Sequence, residues 1–71
     1  MSEYVVIFER AEDGGWGAYL PDVPGVVALG ETRDDVAAGI QEALDSYADE
    51  MRSLGKTLPT PTATASTVQA A

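Results

Sequence analysis

Neither cysteine nor histidine occurs among the 71 residues. That double absence removes disulfides, thiolate and imidazole metal sites, and the Ser-His-Asp and Cys-His arrangements of nucleophilic catalysis within one chain. Cations are scarce as well: four Lys and Arg stand against twelve Asp and Glu, a net charge of −8 with a pI near 4.1. Binding to phosphate backbones needs clustered cations, so nucleic acid is not expected as a direct ligand. A basic protein partner suits the charge, because complementary potential speeds encounter. No apolar run approaches the roughly 20 residues that span a bilayer. Met1 to Phe8 carries Glu3 and no basic cluster, unlike a signal peptide. The expected location is the cytoplasm, with no membrane contact.

A phosphate loop is missing too. GxxxxGK[ST] is absent, and the glycines at 14, 15 and 17 precede a strand pattern, where no helix N-terminus could cradle a nucleotide. No cofactor and no metal are expected. Large apolar side chains are also few: hydrophobic residues make up 45% of the chain, but eleven of them are Ala. A chain this short buries only about 60% of its unfolded surface. Without a disulfide or metal staple, oligomerisation or a partner is the remaining common remedy.

What is present reads in a clear order. Glu3 to Arg10, EYVVIFER, is a first strand of β-branched and aromatic residues. Period two places Tyr4, Val6 and Phe8 on one face and Val5 and Ile7 on the other, so both faces are apolar. AEDGG at 11–15 is a hairpin connection. Trp16 to Leu20 is the returning strand, with Trp16 expected in the core and Tyr19 on the opposite face. Gly17 marks a bulge or a close backbone approach. Val23-Pro24-Gly25-Val26 fits a type II turn, which also accounts for the prolines at 21 and 24. A short third strand is expected over Val26 to Leu29.

Thr32 then caps a helix running from about Arg33 to Leu54, its hydroxyl facing the amide of Asp35 in an Asp-containing capping box. Val36, Ile40, Ala43, Leu44, Tyr47, Met51 and Leu54 form one stripe at helical spacing. Gly55 stops the helix. Leu58 could begin a short fourth strand. Pro59 onward, PTPTATASTVQAA, is expected to be a flexible Pro/Thr/Ala-rich tail. The domain therefore covers 1–58 and the tail 59–71. The fold class is α+β: a three-stranded antiparallel sheet packed on one long helix.

Carboxylates are the only catalytic groups on offer. Glu3 and Glu9, six residues apart on one strand, lie nearly 20 Å apart at about 3.3 Å per residue and cannot share a metal. Asp22 and Glu31 flank the turn-and-strand segment and could converge, but solvated loop acids are the simpler reading. The chain is not expected to be an enzyme. A single helix covers one face of a three-stranded sheet, and the apolar residues on both sides leave a second face to be shielded by association.

Tyr4-Val5-Val6-Ile7, Gly14-Gly15-Trp16-Gly17-Ala18, Pro21-Asp22-Val23-Pro24-Gly25, Ala28-Leu29-Gly30-Glu31-Thr32, the Ala-rich helix, and Leu58-Pro59-Thr60-Pro61 after Gly55 follow in an order that resembles the HicB-type antitoxin family. Val26 stands where many members have Cys. The resemblance implies a partial ribonuclease H-like fold without the nuclease's catalytic acids. It further implies a non-catalytic antitoxin of a type II toxin–antitoxin system, which blocks a small basic mRNA-cleaving toxin that uses a catalytic His. Many members add a C-terminal DNA-binding module; only about fifteen residues follow this helix, so direct DNA binding is not expected. Tyr19, Asp22 and Glu31 are the expected partner-binding residues, an aromatic anchor and two acids beside the loop. A homo-oligomer is also expected. The alternative is a stand-alone oligomeric scaffold or ligand-binding domain that has no toxin.

Overall fold

Three strands and one helix follow one another in a computed structural model that describes residues 2–71: β1 (Ile7–Arg10), β2 (Trp16–Tyr19), β3 (Val27–Gly30) and α1 (Arg33–Ser53). Met1, the first residue of the expected domain, lies outside the described residues. The sheet order is β1-β2-β3, antiparallel throughout. The architecture is the expected β-β-β-α of the α+β class.

Each strand is bounded for a local reason. The expected first strand began at Glu3, but pairing starts only at Ile7, opposite Tyr19. Beyond Tyr19 the partner chain turns away through Leu20 and Pro21, and proline has no amide to extend the ladder. Residues 4–6 are left without a strand partner. β3 starts one residue later than expected because Val26 spends its amide on the turn, donating to the Val23 carbonyl at 3.3 Å. Gly25 takes φ +95° there, as a type II turn demands. Gly30 joins the strand, paired with Trp16.

The helix ends are equally explicit. Thr32 is extended, and its hydroxyl accepts from the Asp35 amide at 3.1 Å. At the far end Gly55 adopts φ +72°. The Gly55 amide donates to the Arg52 carbonyl and that of Lys56 to the Met51 carbonyl, the paired bonds of a Schellman cap. Leu54 is the cap residue and is 58% exposed. It was expected in the buried stripe. A helix of 21 residues is about 32 Å long, whereas a four-residue strand spans about 13 Å, so the last helical turns overhang the sheet.

The core forms between α1 and one face of the sheet. Ala18, Leu20, Val23, Val26, Val36 and Ile40 are buried, with Tyr4, Val6, Phe8, Trp16, Ala28, Ala43, Leu44 and Tyr47 packed around them. The helix lies over β3 and β2. Close approach is possible because Gly30 has no side chain: a Cβ there would stand 3.0 Å from Val36 Cγ2. Trp16 is half-buried against this core, with the Arg10 guanidinium 6.0 Å from its ring, and Arg33 stacks on Phe8 at 4.1 Å. Gly17 marks a close approach and no bulge, since the ladder through it is unbroken and Leu29 Cδ2 would lie 3.2 Å from its Cβ.

Residues 54–71 contain no strand, so Leu58 starts none. The segment expected as a flexible tail nevertheless touches the body at its beginning. Tyr4 donates its hydroxyl to the Pro59 carbonyl at 2.6 Å, and Asp22 holds Thr62 and Ala63.

Candidate protein-interaction surface

Period two along the strands places every second residue of the sheet away from α1. Ile7, Tyr19 and Val27 form one cross-strand row on that open face, and Glu9, Gly17 and Leu29 form the next. Tyr19 is 41% exposed, Val27 61% and Leu29 87%. Three large apolar side chains thus share one open face of a 71-residue domain. No element covers this face among the described residues. Leu29 is so exposed because its cross-strand neighbour is Gly17, which offers no side chain to lean on.

The three expected partner-binding residues are not brought together. Tyr19 sits on the open face in the middle strand, at the end of β2 between Ile7 and Val27. Glu31 is exposed beyond the opposite end of β3, past the Trp16–Gly30 pair. Asp22 lies beyond the Tyr19 end, so the length of a strand, about 13 Å, separates the two acids. They do not converge, because Asp22 follows the end of β2 whereas Glu31 follows the end of β3, and antiparallel strands end on opposite sides. No group of three or more His, Cys, Asp or Glu is placed to hold a metal ion among the described residues.

Asp22 has a role that the sequence reading missed. Its Oδ2 accepts from the amides of Thr62 and Ala63, each at 2.9 Å, and its Oδ1 from the Thr62 hydroxyl at 2.9 Å. One carboxylate therefore clasps the chain forty residues downstream. Those donors, the Ala63 amide foremost and then that of Thr62, hold its pKa below the ordinary 3.8. An acid with a lowered folded pKa contributes stability that is complete above the ordinary value and fades as pH falls through the lowered one. The segment at 62–63 should therefore be held at neutral pH and released only below about pH 4. In Asp22→Asn it should be loose at every pH. Amide exchange at Thr62 and Ala63 checks this: equal protection of both amides in wild type and Asp22→Asn at neutral pH would contradict the clasp. Leu58-Pro59-Thr60-Pro61 carried no signal for it, since the contact depends on where the chain returns.

Two further surfaces lie on the helix side of the molecule, away from the open face. The outer side of α1 exposes Asp34, Asp35, Glu42, Asp45, Asp49 and Glu50, with Arg52 bonded to Asp49 at 2.9 Å. On the β1 side, Tyr4, Val6, Leu44 and Met51 line an open groove of about 920 Å³ that is bordered by Leu58 and Pro61. No helix among the described residues is long and apolar enough to cross a membrane.

Comparison with known proteins places this arrangement. Residues 4–71 match the model of a family described as the HicB-like antitoxin of bacterial toxin–antitoxin systems. The UPF0150 protein Ta0767 of Thermoplasma acidophilum is 29% identical over 68 residues, covering 96% of this chain and 99% of that protein. The UPF0150 protein ssl0738 of Synechocystis is 32% identical over 59 residues, 82% of each. The crystal structure of the N-terminal domain of the Burkholderia pseudomallei antitoxin HicB superposes with a TM-score of 0.74 at 27% identity. It covers 83% of this chain and 69% of that one.

Proposed function

Because this chain belongs to the HicB-like antitoxin family, we propose that it neutralises a small basic mRNA-cleaving toxin by binding it and blocking its active site, without catalysis of its own. The observation that carries the reading is the open sheet face: exposed apolar groups around Tyr19, in a molecule of net charge −8. Apolar area that includes an aromatic supplies short-range affinity. The surrounding acids supply long-range attraction to a cationic partner. A toxin that cleaves mRNA with a catalytic His works in the cytoplasm, where this antitoxin would meet it. Copies of the chain also associate with one another in this reading.

Co-expression with the product of the adjacent gene tests it. A basic protein of similar size should co-purify, and the antitoxin should rescue growth from it. The association rate should fall about tenfold between roughly 50 mM and roughly 500 mM salt as the Debye length shrinks. A chain that purifies alone as a stable oligomer and rescues nothing would instead be a stand-alone scaffold or ligand-binding domain.

A further inference from the structure

Glu9, Gly17 and Leu29 cross the open face beside the row that holds Tyr19. Gly17 stands in the middle strand, where a missing side chain weakens a sheet. The fold gives no reason for it. Its φ is not positive, in contrast with Gly14, Gly25 and Gly55. The atom nearest to an added Cβ is Leu29 Cδ2 at 3.2 Å, the tip of a side chain that is 87% exposed and free to swing aside. The Ala28 carbonyl oxygen would lie at an ordinary 3.7 Å. Gly30 differs, since a Cβ there presses on the fully buried Val36.

What the glycine does is leave a gap. Neighbouring strands lie about 4.8 Å apart, so Glu9 and Leu29 stand nearly 10 Å apart with only backbone between them. The result is an open notch of about 410 Å³, with Asp13 at its hairpin end. One wall is apolar. The other carries the only charge among the six residues of the two rows. The Glu9 carboxylate is exposed and has no ion-pair partner among the described residues. Asp13 gives one oxygen to the Gly15 amide at 2.9 Å and adds a second negative charge.

We propose that this notch receives one long basic side chain, lysine or arginine, from the protein that docks on the open face. Its methylene stem lies over Gly17 against Leu29, and its charged head meets Glu9. Such side chains bury their stems on apolar surface and keep their heads polar, which matches the two walls. An acidic side chain would face Glu9 with like charge. An apolar one would leave the Glu9 carboxylate unpaired beneath the partner, at a desolvation cost. A second copy of this chain is a poor donor: of its four cations, Arg10 and Arg33 lie over the Trp16 and Phe8 rings and Arg52 is bonded to Asp49. The cation therefore comes from a different, basic protein. Gly17 and Glu9 become specificity-determining residues, the first by making room and the second by charge.

This inference rests on the open face as the docking surface of the proposed function, and it names the group recognised there. Titration calorimetry of the full chain with the basic protein encoded by the adjacent gene tests it. Glu9→Gln should weaken binding about tenfold. Glu50→Gln removes the same charge from the outer side of α1 and should alter binding by less than about threefold. Gly17→Val fills the notch and should weaken binding at least about tenfold, while its thermal midpoint holds or rises, since valine suits a strand. Alanine replacement of the partner's Lys and Arg one at a time should find one residue coupled to Glu9 about tenfold, and that coupling should vanish in Gly17→Val. Glu9 is exposed, so Glu9→Gln decides the matter if Gly17→Val fails to fold. Weakened binding in Tyr19→Ala with full affinity in Glu9→Gln would overturn the notch and keep the open face. Equal losses in Glu9→Gln and Glu50→Gln would reduce Glu9 to general attraction and overturn the notch as well. Full affinity in Tyr19→Ala, Glu9→Gln and Gly17→Val alike would move docking off this face and overturn both readings. If the adjacent gene product forms no complex at all, the neutralising role falls and the notch with it.

Discussion

Truncating Val36 to alanine is expected to destabilise the domain by roughly 2 to 3 kcal/mol, from lost burial and the cavity left behind. Val36 is fully buried and sits where the helix presses on the sheet. Domains are stable by only about 0.05–0.15 kcal/mol per residue, so this loss removes a large share of the total. The midpoint of thermal unfolding should fall by about 10 to 20 °C. Gly30→Ala should cost about 1 to 2 kcal/mol for the opposite reason: its new methyl would meet Val36 Cγ2 at 3.0 Å. The two changes remove each other's cause. Alanine at 36 has no Cγ2, so the methyl at 30 enters vacated space. The double variant should be less destabilised than the sum of the singles by about 1 kcal/mol. Urea unfolding followed through the fluorescence of Trp16, at one fixed protein concentration, measures all three. Strict additivity would mean that helix and sheet do not meet at this point.

Under the proposed neutralising role, with the toxin seated on the open face, Tyr19→Ala should leave stability nearly unchanged and weaken that complex by about 2 to 3 kcal/mol, roughly 30- to 150-fold. Tyr19 contributes to an open face and not to the buried core, so its removal opens no cavity. It is flanked by Ile7 and Val27 across the strands, and such a setting excludes water around an anchor. The two acids should behave differently. Glu31→Ala, at the far exposed end of β3, should change affinity only a few-fold, mostly through the association rate and with a dependence on salt. Asp22→Ala should act through the released segment at 62–63 and leave the open face intact. Titration calorimetry with the purified toxin distinguishes the three. Full affinity in Tyr19→Ala would move the contact off the open face.

Several elements were legible in the sequence because their causes are local. The Thr32 cap, the type II turn at Gly25 and the Schellman cap at Gly55 each depend on a few adjacent residues, and each formed where the residues pointed. Tyr19 was legible as an outward aromatic because alternation alone assigns its face. Leu54 was not. Its spacing matches the buried stripe, but burial also requires something opposite, and the sheet stops short of it. The first strand was over-extended for the same kind of reason: Tyr4, Val5 and Val6 have the right propensity, and the neighbouring strand turns away before reaching them.

Residue order by itself determined the β-β-β-α succession, the helix limits, the lack of His and Cys chemistry and the excess of negative charge, because each of these follows from composition or from short stretches of chain. Only the packed structure decided which side of the sheet stays open, that β3 is a bare edge, and that Asp22 reaches forward to Thr62 and Ala63. Those outcomes depend on where distant segments come to rest against one another. Local preferences and periodicity carry no record of that distance.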